Sequence, residues 1–130
     1  MTRPLILLDF DGVLHVAHEP EASSCYPLGQ LVPGAPDFLL RMRDAYRLAV
    51  HSPRSTKPDG IANMQQWLTT VLQQAEVPHA ARLVYDEIEW PVERPWADIE
   101  ISARAIPFQG LFPTTVDLAR FAPWHSRPTF

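Results

Sequence analysis

Two carboxylates stand two residues apart where an apolar run ends: Leu5-Ile6-Leu7-Leu8 leads into Asp9-Phe10-Asp11-Gly12-Val13-Leu14. Four aliphatic residues in a row read as a strand buried on both faces, as inside a parallel sheet. Ionised acids beside an apolar core need partners, and a divalent cation is a natural one. Gly12 follows the second acid, and a residue without Cβ readily takes the positive φ of a sharp turn. His15 and His18 suggest ligands at i and i+3, but no Cys or third His stands at a matching spacing. Cys25, the single cysteine, lies among Ser23, Ser24 and Tyr26 and reads as a structural thiol in a loop.

The segment from Asp9 to Leu14 resembles the first motif of the haloacid dehalogenase-like superfamily of phosphohydrolases. The resemblance implies that Asp9 attacks phosphorus to form an aspartyl-phosphate. Asp11 would protonate the leaving group and later activate water. Mg²⁺ would join the Asp9 carboxylate, the Asp11 carbonyl and the phosphate. The physical logic is general: a carboxylate and a phosphate dianion repel each other, and a divalent cation removes that repulsion.

Two later stretches extend the likeness. His51-Ser52-Pro53-Arg54-Ser55 follows a short apolar run, where the family places a Ser or Thr on a phosphate oxygen. Ser52 takes that position, and Arg54 adds a planar fork suited to phosphate. Gly12 is grouped with them as a substrate contact. Ser52 also fits an ordinary cap of a strand-to-helix turn. Glu93 to Gly110 resembles the family segment that begins with Lys-Pro and runs into Ile-Asp-Asp-Arg-Ala. Arg94 falls at the family's cation, with Lys57 as runner-up. Ser102 and Ala103 fall where the family has its acidic pair, and this is the main departure. The implied metal ligands are therefore Asp9, Asp11 and Ser102, a weak set in which Ser102 holds only a metal-bound water. Glu100, two residues upstream on the same strand face, is a candidate substitute.

These residues need a scaffold. After β-like Leu5–Leu8, residues 15–35 read as a loop, rich in Pro, Gly and Ser, that lies beside the site. Pro36 and Asp37 suit the first turn of a helix whose stripe is Phe38, Leu39, Met42, Ala45 and Tyr46. Leu48-Ala49-Val50 is a second strand. Asp59 caps a helix carrying Ile61, Met64, Trp67, Leu68, Val71 and Leu72 on its core face, and Pro78 stops it. Leu83-Val84-Tyr85 reads as a third strand, followed by an acidic loop at Asp86, Glu87 and Glu89. Asp98 starts the strand that ends at Ser102. Residues 113–121 form a short helix, Trp124 packs back on the body, and a tail covers about 122–130.

The alternation predicts an α/β domain: a three-layer, Rossmann-like fold with a mostly parallel central sheet. Ligands in such sheets sit beyond the carboxyl ends of the strands, where Asp9, Ser52 and Ser102 all fall. The intervals from Asp9 to Ser52 and from Ser52 to Arg94 each hold a helix and a strand and leave no room for a cap domain. An uncapped site suits a bulky phosphorylated substrate, or needs a partner subunit as lid.

At 130 residues, with 46% hydrophobic content, the chain reads as one domain able to bury a core. No apolar run is long enough for a membrane span, and the core strand begins where a signal peptide would lie. With one cysteine, a cytoplasmic setting is expected. The net charge of −4, without a Lys/Arg run, gives nucleic-acid binding no support. Prolines number 14 and punctuate segment junctions. The expected function is Mg²⁺-dependent phosphomonoester hydrolysis. The alternative is a phosphate-binding or interaction module that kept the fold and lost its chemistry. A receiver-like signalling domain fits poorly, because the acids follow the first strand. Dehalogenation does too, because the D-x-D pattern suits phosphate.

Overall fold

The computed structural model describes residues 2–16 and 25–124, so His18 and the tail from His125 lie outside the described residues. The chain is mixed α/β around a parallel sheet. Strand β1 (Leu5–Asp9) is central, with β4 (Arg47–His51) on one side and β5 (Ile99–Ile101) on the other. Register pairs Leu5 with Arg47 through Asp9 with His51, and Ile6 with Ile99 through Leu8 with Ile101. The chain thus leaves β1 to opposite sides, and the switch point lies at the carboxyl end of β1, where Asp9 stands.

One face of the sheet presents Ile6, Leu8, Leu48 and Val50, and Phe10 continues it beyond β1. Against it pack α1 (Ala35–Met42) through Leu39, α2 (Gly60–Gln74) through Met64, Trp67, Leu68 and Leu72, and α3 (Pro78–Asp86) through Leu83 and Val84. The spacing of Met64, Trp67, Leu68 and Leu72 is the i, i+3, i+4, i+8 stripe of a helix lying on a core. Each fully buried Leu here contributes about 1.5–3 kcal/mol by leaving water. The opposite face carries Leu5, Leu7 and Ala49, against which Ala97 packs. Three layers were expected, but these clusters place α1, α2 and α3 together on one face. The segment crossing toward β5 contains Pro91 and Pro95, which break a helix there.

The expected third strand at Leu83-Val84-Tyr85 is instead the last part of α3. Pro78 opens that helix rather than ending the previous one, since a first-turn proline forfeits no internal hydrogen bond. Val77, Ala80, Ala81, Val84 and Ile88 repeat at helical spacing, which outweighs the β-branched run. The strand position next to β4 is filled by one parallel bridge at Glu89, which bonds Leu48 and Val50 through its N–H and C=O, each at 2.9 Å. Residues 15–35 also hold more than a loop, because β2 (His15–Val16) and β3 (Gln30–Leu31) form an antiparallel pair. Asp59 does precede α2, but in a left-handed conformation (φ 59°) and with no side-chain cap bond. Asp98 opens β5 as expected, its carboxylate accepting the Leu5 N–H at 2.8 Å. A short helix α4 (Thr115–Arg120) follows, started by a Thr114–Asp117 capping box. Among the described residues, no helix is long and apolar enough to cross a membrane.

Candidate functional site

Beyond the carboxyl end of β1 the chain turns on Phe10, whose carbonyl accepts from the N–H groups of Val13, Leu14 and His15. Gly12 supplies the positive φ this turn needs, at 88°. Both acids line one cleft at the strand end. The two acids meet different surroundings.

Asp11 is enclosed. Arg54 grips it bidentately, Nε to Oδ2 at 2.9 Å and an Nη to Oδ1 at 3.0 Å, and the His15 Nδ1 lies 2.9 Å from Oδ1. Arg54 is held in turn by the Cys25 carbonyl and by the Phe10 ring beneath its guanidinium. It sits in the short 3₁₀ turn Pro53–Thr56 after β4 and is 1% exposed. His15 is buried as well, stacked on Phe10 and edge-on to Trp67. Its Nε2 accepts the Gly29 N–H at 2.9 Å, so the ring proton belongs on Nδ1, facing the carboxylate. Burial alone pushes the Asp11 carboxyl up. The hydrogen bonds from His15 and Arg54, with the Arg54 charge, outweigh it and hold Asp11 below its usual value.

Asp9 has other neighbours. A cleft of about 150 Å³ is lined by Asp9, Asp11, His51, Ser52, Arg94 and Arg104, among others. The Arg94 guanidinium lies 3.9 Å from the Asp9 carboxylate, and its other side pairs with Glu100 at 2.9 Å. The Ser52 hydroxyl accepts the Arg54 N–H at 2.9 Å and points its proton toward the Met64 sulfur at 3.8 Å, so it works as a turn cap. His51 gives its Nε2 proton to the Val92 carbonyl at 3.2 Å, leaving a buried Nδ1 with no hydrogen-bond partner among the described residues.

The structure therefore brings Asp9, Asp11, Ser52 and Arg94 together, as the sequence suggested. It places three other residues differently. Arg54 faces Asp11 from inside rather than opening on the cleft. Gly12 spends its N–H on the His15 carbonyl and its carbonyl on the Trp124 indole N–H. Ser102 accepts from the Arg104 N–H and lines a neighbouring groove with Gly12, Ala103 and Trp124. His15 braces Asp11, Glu100 holds Arg94, and Lys57 is exposed and not among the residues that line the cleft. His51 and Arg104 were not singled out from the sequence. The only signal for His51 was its place beside Ser52 at a strand end, and its pairing with Asp9 needs the register.

For Mg²⁺ these residues offer a thin set: the Asp9 carboxylate, with the Asp11 carbonyl that the resemblance implies. Asp11's carboxylate is neutralised by Arg54, Ser102 brings no charge and lines another groove, and a guanidinium lies 3.9 Å from the Asp9 carboxylate. Among the described residues, no three His, Cys, Asp or Glu side chains gather where they could hold a metal. Comparison with protein-family models, curated proteins and solved structures finds no match for this chain.

Proposed function

We propose that the protein is a phosphomonoester hydrolase of the haloacid dehalogenase-like kind, with Asp9 as its nucleophile. The observation that carries this reading is the position of Asp9: at the switch point of a parallel sheet, in a cleft shared with Ser52 and two arginines. An Asp9 oxygen would bond to phosphorus as the ester oxygen leaves with its electron pair. Water would then cleave the acyl phosphate and return the carboxylate. Arg94 holds the positive charge beside the attacking group. Asp11 stands where the resemblance puts the acid that protonates the leaving oxygen. The three hydrogen bonds it accepts from Arg54 and His15 favour its ionised form, so taking up that proton works against them.

The test is turnover of a generic aryl phosphate and a panel of phosphomonoesters, with and without added Mg²⁺. Phosphate release is expected from the parent chain, and Asp9→Asn should lower it at least about a thousandfold. A parent chain that releases no phosphate from any member would remove the hydrolase reading.

A second reading, phosphate binding without turnover, is favoured by the enclosure of Asp11 and by the uncharged Ser102 and Ala103. It predicts that the parent chain binds phosphomonoesters and returns them unchanged.

A further inference from the structure

Relative to the pattern it resembles, the cleft lacks the acidic pair and keeps both bases. Ser102 and Ala103 carry no charge and line the adjoining groove, while Arg104 lines the cleft itself. Arg94 enters from the opposite stretch, between Asp9 and Glu100. A guanidinium offers five donors in a planar fork that matches phosphate oxygens, and it keeps its charge at any working pH. Resting on the phosphate reading above, we propose that Arg94 and Arg104 supply here the positive charge that a divalent ion supplies elsewhere, so that the cleft takes a phosphate dianion without metal. Glu100 then acts as a competitor for Arg94, and phosphate must draw that guanidinium away from it.

The two alternatives assign Glu100 opposite roles. As a metal ligand it would strengthen phosphate binding through the ion. As the rival partner of Arg94 it weakens binding. Both Arg104 and Glu100 are exposed, so their substitution leaves the core untouched.

The experiment is calorimetric titration of inorganic phosphate into the whole chain, once in EDTA and once in excess Mg²⁺. Circular dichroism verifies that each variant is folded. Equal affinity in the two buffers, within about twofold, is expected. In EDTA, Arg104→Ala should weaken binding about tenfold, as for loss of a charged hydrogen bond. Glu100→Gln should tighten it about two- to threefold, as for release of a surface ion pair. Binding seen only with Mg²⁺, weaker binding by Glu100→Gln, or no change in Arg104→Ala each overturns the assignment while leaving phosphate handling intact. Absence of binding in both buffers overturns the assignment and the phosphate reading together.

Discussion

Asp11 gives up water on folding and receives three hydrogen bonds, one from His15 and two from Arg54. The balance favours the ionised form in the folded chain, so its carboxyl titrates below the ordinary 3.8 of the open chain. The sign of the pH effect follows. Between the lowered folded value and 3.8, the unfolded chain binds a proton that the folded chain refuses, so acid favours unfolding. The contribution is complete above the unfolded value and disappears as pH falls through the folded one. Urea unfolding at roughly pH 6 and pH 3 should therefore show a larger loss of stability for the parent than for Asp11→Asn. Equal losses would mean that the Arg54 pair does not hold the charge.

At the scale of elements, the site depends on how closely the 3₁₀ turn at Pro53–Thr56 approaches the start of α2. Gly60 begins that helix, and a Cβ there would lie 1.8 Å from the Arg54 carbonyl oxygen. No side chain fits without moving the backbone that carries Arg54. Gly60→Ala is expected to destabilise the fold by about 2 kcal/mol or more and to loosen the Arg54–Asp11 pair. Chemical denaturation measures the first effect. A shift of the Arg54 Nε–H signal measures the second, and an unchanged spectrum would count against the coupling. The helix pattern around Met64, Trp67 and Leu68 was readable because its period is regular. The Leu83-Val84-Tyr85 run misled because three apolar residues fit either period, and the deciding contacts lie on Ala80, Ala81 and Ile88.

Over the whole molecule, burial is uneven. The sheet and α1, α2 and α3 hold the core, while α4 buries no residue. Leu111 and Phe112 are 87% and 85% exposed, and Phe112 meets Phe108 in a tilted pair. So little contact means that Leu111→Ser with Phe112→Ser should change unfolding free energy by less than about 0.5 kcal/mol. A larger loss by thermal or urea unfolding would show that this segment packs more tightly than its exposure indicates. The sequence by itself determined the apolar opening strand, the acid-turn-glycine that follows it, the helical stripe of α2 and the alternation that makes a parallel sheet. All of these depend on neighbours within a turn or two of chain. Tertiary structure alone decided that Arg54 turns inward onto Asp11, that Glu100 takes Arg94, and that Arg104 rather than Ser102 reaches the cleft. The first of those outcomes depends on which charged groups meet after distant segments pack, and a charge pair 43 residues apart leaves no period in the chain.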